Sequence, residues 1–247
     1  MHRRNMLAAI GAAFVAGCSR IGESKWFEAL VDGAEGWHRG IHRTLGAGRI
    51  ALAPEYQPSD VSPSFRGNGT TEIDRPDYKA ALASGFPEWR LAVTGLVDTP
   101  LELSLDDIRA LPQRTQITRH DCVEGWSAIG QWTGPQLSSI LALAGVRPSA
   151  AYVVFHCADI LGGAAYYESC DMDDALHPQT IIAHLLGGEP LPERNGAPLR
   201  LRIERQLGYK HAKYLTGIEL VASLDGIGLG KGGYWEDRNG YQWYAGI

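Results

Sequence analysis

Apolar positions that alternate with polar ones predict several short strands after residue 90. Leu91, Val93 and Val97 indicate the first of these strands, and turn-forming residues at 98–100 end it. Further β-rich stretches occupy residues 113–120, 152–157, 166–170, 199–203 and 214–222. The stretch 181–186 is compatible with a strand or a helix, because its periodicity favours neither.

Helical patterns are short and lie between the strands. Ser104, with Asp107 three residues later, forms a capping-box pattern at the start of a short helix. Residues 135–144 carry one apolar helical face, with Gly145 as a suitable C-cap, and residues 171–176 indicate a helical turn. Many short strands, few helices and long irregular joins predict an α+β, β-rich single domain rather than a βαβ array.

The two ends of the chain differ from this middle part. Residues 22–88 are rich in Gly, Pro, Ser and Asp, and we expect no regular structure there. Residues 18–64 are therefore predicted to be a tether and an irregular N-terminal arm, and residues 65–247 the domain. The Gly-rich tail 226–247 contains aromatic side chains that favour burial, among them Trp235, Tyr241, Trp243 and Tyr244, so it is expected to pack as a closing loop.

Residues 1–17 have the pattern of a signal peptide. Arg3 and Arg4 precede a short apolar run, which resembles a twin-arginine export signal and is too short for a permanent membrane span. The run ends at Cys18 in a lipobox-like sequence, which predicts an exported, periplasmic protein anchored through a lipid on Cys18. The alternative is a cysteine that happens to lie beside an ordinary cleavage site.

Composition narrows the function classes. The 247 residues carry a formal net charge of -5 without a long Lys/Arg run, so we expect no nucleic-acid partner. Apart from Cys18, the cysteines are Cys122, Cys157 and Cys170, and this odd number means that at least one is not in an intramolecular disulfide. The spacing motifs of zinc ribbons, c-type haem and zincins are absent from the sequence.

Cys122 lies in the segment with the most chemical information. It follows a predicted strand and enters a Gly-containing loop, with Arg119, His120 and Glu124 close by in sequence. The two cationic neighbours would favour the thiolate, which is the form that binds metals or attacks electrophiles. The residues alone leave three interpretations open: a metal ligand, a nucleophile, or a buried and inert cysteine.

A series of separated motifs carries a family resemblance. They are Cys-Val-Glu-Gly-Trp-Ser at 122–127, Asp-Ala-Leu-His-Pro at 174–178, Asn-Gly-Ala-Pro-Leu-Arg-Leu at 195–201 and Gly-Tyr-Lys-His-Ala-Lys at 208–213. In this order, over roughly residues 65–222, they resemble the sulfite oxidase-type molybdopterin enzymes. The similarity is greatest to the branch of periplasmic protein-methionine-sulfoxide reductase catalytic subunits. The resemblance implies a β-rich molybdopterin-binding fold.

The resemblance also implies roles for individual residues. Cys122 would supply a soft thiolate ligand to the molybdenum of one molybdopterin per chain. The residues that would hold the pterin and its phosphate are Asn195, Arg200, His211, Ala212 and Lys213. Asn68 and Glu72 have the spacing of the family's Asn-x-x-Tyr-Glu pterin contacts, with Thr71 at the Tyr position. Cys157 falls where the related branch has a cofactor-contacting Thr.

The implied activity is oxygen-atom transfer, with reduction of an S-oxide such as methionine sulfoxide favoured. Glu124, two residues after Cys122, fits the reductase-like pattern and is expected to act in proton transfer or substrate approach. We expect a monomeric catalytic subunit acting on a small-molecule or protein-bound oxo substrate. A separate membrane haem protein or soluble cytochrome would supply electrons. The alternatives are a sulfite-oxidising enzyme, a cofactor-binding lipoprotein without catalysis, and a cysteine-nucleophile enzyme.

Overall fold

A five-stranded mixed sheet forms the centre of the domain. The computed structural model describes residues 24–45 and 51–247, so the predicted signal peptide and Cys18 lie outside the described residues. The strands of this sheet are β1 (Arg90–Gly95), β2 (Leu101–Ser104), β5 (Tyr152–Leu161), β6 (Ala164–Asp171) and β11 (Leu215–Val221). Their order is β2-β1-β11-β5-β6. β1 pairs in parallel with β11, and the other neighbours are antiparallel.

A second, antiparallel sheet carries the cysteine segment. Its strands, in the order β3-β4-β8-β9, are β3 (Gln113–Cys122), β4 (Trp126–Pro135), β8 (Leu185–Leu186) and β9 (Glu189–Pro190). β3 and β4 form a long hairpin whose last pair is Cys122 with Trp126. A two-stranded ladder of β7 (Ile181–Ala183) and β10 (Arg200–Arg202) lies beside β4.

The helices are mostly short. They are α1 (Lys25–Leu45), α2 (Pro76–Ala83), α3 (Leu105–Ala110), α4 (Leu137–Ala144), α5 (Met172–Ala175) and α6 (Tyr234–Asn239). The Ser104 side chain accepts a hydrogen bond from the Asp107 N–H, and Gly145 ends α4 with φ 70°, as the capping patterns predicted. Within residues 24–45 and 51–247, no helix has the length and apolar character to cross a membrane.

The hydrophobic core joins both large sheets to α4. Its fully buried members include Leu91 of β1, Trp132 of β4, Ile140 of α4 and Phe155 of β5. Removing these large side chains from water is the main stabilising contribution to such a core. The core therefore fixes the β3–β4 hairpin, and with it Cys122, relative to the central sheet.

The observed architecture confirms the predicted α+β, β-rich single domain and corrects several details. No regular structure was expected before residue 90, which is wrong for α1 and α2. Strand β4 was not predicted, and Pro135 is its last residue rather than part of the following helix. The ambiguous stretch 181–186 forms strands β7 and β8, and the closing tail contains the helix α6.

Candidate functional site

Cys122 lies at the tip of the β3–β4 hairpin. The Gly125 N–H donates a 3.0 Å hydrogen bond to the Cys122 carbonyl, and Gly125 adopts φ 83°, a conformation that favours glycine. This tight turn directs Cys122, which is 8% exposed, towards a cavity of about 110 Å³. A single buried thiol facing a cavity is suited to binding a ligand that enters there.

The cavity brings together segments that are far apart in the sequence. Of the residues predicted for the site, those lining it are Asn68, Cys122, Glu124, His211 and Lys213. Glu124 is exposed at this cavity, and its carboxylate accepts a 2.9 Å hydrogen bond from the Trp126 indole. The predicted residues in these walls thus supply a thiol, a carboxylate, an amide and two basic side chains.

The surroundings of Cys122 correct one expectation. Arg119 is largely exposed and pairs with Asp121 at 2.9 Å. Burial, followed by nearby arginines, lowers the pKa of His120 well below its usual value, so this ring is neutral. Burial raises the pKa of the Cys122 thiol, and the charge of Lys213 opposes this shift only in part. The prediction that Arg119 and His120 promote the thiolate is therefore wrong.

Lys213 reaches the cavity from the segment before β11. Its ammonium donates to the carbonyl oxygens of Asn68 at 2.6 Å, Arg194 at 3.2 Å, and Thr70. Burial and the neighbouring Arg200 lower the pKa of Lys213 to about 7, while the three carbonyl acceptors favour the charged form. Lys213 thus links the 68–70 loop to the cavity. Because its pKa lies near neutrality, an anion bound in the cavity would favour the charged form of Lys213.

Arg200 is fully buried on β10, behind the cavity wall. Its guanidinium donates to the carbonyl oxygens of Asn195 at 3.1 Å and His211 at 3.4 Å, and lies 4.9 Å from the centre of the Trp132 ring. Burial, with a contribution from Arg202, lowers the pKa of Arg200 to about 9. Arg202 lies 4.5 Å from the centre of the same ring and is paired with Glu204 at 2.6 Å, whereas Arg200 donates only to carbonyl oxygens in the described part of the chain.

Polar atoms without partners mark where a ligand would bind. Within the described part of the chain, Asn68 Oδ1, Arg200 Nε and His211 Nδ1 are buried and have no hydrogen-bond partner. Buried polar atoms are nearly always paired, so unpaired ones beside a cavity indicate a missing partner. Arg200 Nε is a donor, whereas Asn68 Oδ1 and the Nδ1 of the neutral His211 ring are acceptors. A pterin phosphate offers acceptor oxygens for Arg200 and ring N–H donors for the two acceptors, and the thiol of Cys122 offers a soft metal ligand. The residues present therefore fit a molybdopterin.

Other predicted contacts lie elsewhere. Glu72 is exposed and pairs with Lys79 at 3.0 Å, outside the cavity lining. Cys157 borders a separate cavity of about 380 Å³, with its Sγ 3.9 Å from the Phe155 carbonyl. Ala212 is fully buried, and its carbonyl accepts from the Leu201 N–H at 2.8 Å. Cys122, Cys157 and Cys170 are all free thiols.

Sequence reasoning missed several lining residues. Asp159 and Tyr166 reach the cavity from β5 and β6, and neither lies in a motif that singled it out. Asp159 is 3% exposed, and burial raises the pKa of its carboxyl group. Trp235 and Tyr241 also line the cavity. Their place in an aromatic-rich tail was the only signal available, and it suggested packing rather than a site.

The fold and the cavity define a molybdopterin-binding oxidoreductase of the sulfite oxidase type. The sequence model of the family described as "Oxidoreductase molybdopterin binding domain" matches residues 79–225, and the chain belongs to this family. A relative from Azospira oryzae, the putative protein-methionine-sulfoxide reductase subunit YedZ1, is 43% identical over 79% of this chain and 68% of its own length.

Two further relatives and one solved structure are also similar to the chain. The protein-methionine-sulfoxide reductase catalytic subunit MsrP of Xanthomonas campestris is 36% identical over 65% of this chain, and the match spans about half (53%) of that relative. The uncharacterized oxidoreductase YuiH of Bacillus subtilis is 34% identical over 62% of this chain and 72% of its own length. The crystal structure of the sulfane dehydrogenase SoxCD from Paracoccus pantotrophus shares the fold, with a TM-score of 0.51 and 22% identity over 56% of this chain and 39% of its own.

Proposed function

We propose that this chain holds one molybdopterin with Cys122 as the protein ligand to molybdenum, and reduces an S-oxide such as methionine sulfoxide. The observation that carries the proposal is the buried Cys122 thiol at a cavity whose lining includes Asn68 and His211, both with unpartnered polar atoms. The names of the relatives as protein-methionine-sulfoxide reductases support this choice of substrate.

The proposed cofactor contacts follow from charge and burial. A phosphate dianion needs cations and N–H donors in a site from which water is excluded. Arg200 and Lys213 would provide the cations, with the Asn68, Asn195 and His211 side chains adding polar contacts. The Asn195 side chain is 2% exposed and donates a 3.3 Å hydrogen bond to the Arg66 carbonyl.

Reduction of a sulfoxide consumes two electrons and two protons and releases the oxygen as water. When bound, the molybdopterin supplies the two-electron transfer of an oxygen atom. Glu124 is the acidic residue at the exposed side of the cavity, and its hydrogen bond from the Trp126 indole fixes its carboxylate there. We assign Glu124 the task of carrying protons between solvent and the substrate oxygen.

Electrons would come from a separate redox protein, either a membrane haem protein or a soluble cytochrome. The twin-arginine-like start supports export of the folded, cofactor-loaded chain. The Cys18 lipobox supports attachment to the periplasmic side of a membrane. The proposed enzyme would therefore act outside the cytoplasm, close to a membrane-bound electron source.

The direct test measures molybdenum and pterin in protein purified from a host that makes the cofactor. Wild type is expected to contain about one molybdenum per chain, and Cys122→Ser to lose the metal or change its spectrum. Cys170→Ser is the matched control, because Cys170 is also buried and free but is absent from the cavity lining. Equal molybdenum content and spectra in wild type and Cys122→Ser would refute the ligand assignment.

Activity is measured next, with methionine sulfoxide and a reduced viologen dye as electron donor. Wild type is expected to oxidise the dye only when the sulfoxide is present. Glu124→Gln removes the proton-carrying carboxylate but keeps its shape, so we expect slower turnover with unchanged molybdenum content. Unchanged turnover of Glu124→Gln across pH would contradict the role of Glu124.

A further inference from the structure

Helix α1 contacts the domain with its polar side. The Glu35 carboxylate accepts hydrogen bonds from the backbone N–H groups of Trp243 at 3.1 Å and Tyr244 at 3.0 Å. Arg43, on the last turn, pairs with Asp171 and Asp174, each at 2.9 Å. These charged contacts fix which face of α1 is turned away from the domain.

The opposite side of α1 is apolar and exposed. Trp26, Leu30, Trp37 and Ile41 are 62%, 42%, 60% and 55% exposed. At 3.6 residues per turn their spacing places them within an arc of about 60°, roughly opposite Glu35 and Arg43. We call these four residues the apolar stripe. A helix on a soluble domain normally turns its apolar face inward, so the orientation of α1 is inverted.

We propose that the apolar stripe lies in the surface of a lipid bilayer, with α1 parallel to the membrane plane. Tryptophan is favoured at such interfaces because its ring is largely apolar while its indole N–H remains solvated. The proposal rests on the inverted helix and on the proposed export of the chain, and it is independent of the oxo-transfer chemistry.

The position of Cys18 supports lipid as the occupant. Lys25, the first residue of α1, is the seventh residue after Cys18, so the two are at most roughly 25 Å apart. A lipidated Cys18 would therefore hold α1 at the membrane surface. The apolar stripe would then lie at the bilayer surface and add an apolar contact to that of the lipid.

Membrane binding by α1 would also orient the candidate site. His38 of α1 lines a shallow groove together with Val123, the residue after Cys122, and with Tyr241, which also lines the cavity. The domain-facing side of the helix and the Cys122 loop thus share one groove. The cavity entrance would be held near the bilayer, where a membrane-bound electron donor can reach it.

The test uses full-length, molybdenum-loaded protein carrying Cys18→Ser, so that no lipid is attached. Vesicles of phosphatidylethanolamine and phosphatidylglycerol, with and without bromine on the upper acyl carbons, are added while tryptophan emission is recorded. We expect bromine to quench part of the emission, and this quenched part to disappear in Trp26→Phe/Trp37→Phe. All variants share the same residues before α1. Any lipid affinity of that segment is therefore the same in each variant and does not affect the comparison.

A second arm measures vesicle affinity by co-sedimentation. Leu30→Gln/Ile41→Gln should bind at least about tenfold more weakly than its parent, because two apolar contacts of the stripe are lost. Leu143→Gln/Ile160→Gln is the matched control, since both side chains are exposed but lie outside α1. Equal molybdenum content in all variants shows that the domain is intact.

Three outcomes would overturn the proposal. The first is bromine quenching that is the same with and without Trp26 and Trp37. The second is vesicle affinity that is the same in the stripe variant and the control variant. The third is a wild-type dimer that Leu30→Gln/Ile41→Gln converts to a monomer, because a second copy of the chain would then cover the stripe. Loss of molybdenum in wild type would instead count against the proposed function and leave this inference standing.

Discussion

Replacing Lys210 with methionine should strongly destabilise the domain, because it removes the cation between two buried carboxyl groups. Lys210 Nζ lies 2.6 Å from Glu168 Oε2 and 2.6 Å from Glu236 Oε1, and none of the three side chains is more than 1% exposed. Burial raises the pKa of Glu168 well above its usual value, and the charge of Lys210 opposes this shift. In the folded protein, Glu168 therefore holds a proton and Glu236 pairs with the ammonium.

The magnitude follows from the loss of one partner in a buried ion pair, which costs about 3–5 kcal/mol. In a chain of this size, 1 kcal/mol changes the melting temperature by about 2–4 °C, so Lys210→Met should melt about 6–20 °C lower. Glu168→Gln keeps a neutral hydrogen-bonding group in the place of the protonated acid. Its loss should therefore be about 1 kcal/mol or less.

The pH dependence has a definite sign. A carboxyl group whose folded pKa is raised contributes stability that is present below its unfolded pKa and is lost as the pH rises through the folded value. Without the Lys210 charge that opposes it, the upward shift in the pKa of Glu168 becomes larger. The deficit of Lys210→Met relative to wild type should thus be small near pH 5 and large near pH 8.

The assay is thermal unfolding of the purified variants, followed by circular dichroism at several pH values. Lys231→Met is the control, because Lys231 is exposed. A melting temperature for Lys210→Met within about 2 °C of wild type at pH 8 would refute the reasoning. So would a larger loss for Glu168→Gln than for Lys210→Met.

Three further predictions concern other parts of the fold. Gly134→Ala should lower the free energy of unfolding, measured in urea, by about 2–3 kcal/mol, because the new Cβ would lie 2.0 Å from a backbone oxygen of β7. Gly226→Ala, with open space around it, should lower it far less. Equal losses in the two variants would contradict this reasoning. Arg43→Gln should speed hydrogen exchange in α1 by about tenfold, equivalent to about 1.4 kcal/mol, because the ion pairs of Arg43 with Asp171 and Asp174 hold the helix on the domain. Unchanged exchange would argue against that role. Uptake of the phosphate-bearing cofactor by apo-protein should fall as the pH rises through about 7, because Lys213 loses its charge there. Lys213→Arg should remove this dependence. Uptake by wild type that does not change with pH would count against the proposed contact of Lys213 with the phosphate.

The sequence predicted those elements in which the spacing of apolar residues matches the positions that are buried in the structure. Helix α4 is an example, because its apolar positions face the core and Gly145 ends it. Strand β4 escaped prediction because its inward positions include the small residues Gly130 and Gly134. Phe65 packs against Gly130, and the β7 backbone packs against Gly134. Glycines at these closely packed positions interrupt the hydrophobic alternation that marks a strand in a sequence.

Helix α1 was missed for a different reason. Its polar face contacts the domain, and Gly33, Gly36 and Gly40 lower its helix propensity, so the stretch looked like an irregular arm. The electrostatic contacts that hold it, such as those of Arg43 with Asp171, join residues more than a hundred positions apart. Local pattern contains no information about such pairs.

The candidate site was predictable where residues cluster in motifs. Cys122 and Lys213 came from the family resemblance, and the structure brings both to one cavity. Tyr166 and Asp159 reach the same cavity through the β5–β6 hairpin, a placement that depends on tertiary structure. Glu72 was assigned because it matches the last position of the family's Asn-x-x-Tyr-Glu motif, whereas in the structure its carboxylate pairs with Lys79 at the surface.

The parallel pairing of β1 with β11 constrains how the chain can be made. It joins Ala92 to Gly217, so the central sheet lacks its middle strand until the chain has been synthesised beyond β11. Such non-local contacts fold slowly, since a long loop must close before they form. The cavity also needs Lys213, just before β11, so it forms only after this segment has been made. Binding of the proposed cofactor would therefore wait for β11, which suits the proposed export route for folded proteins.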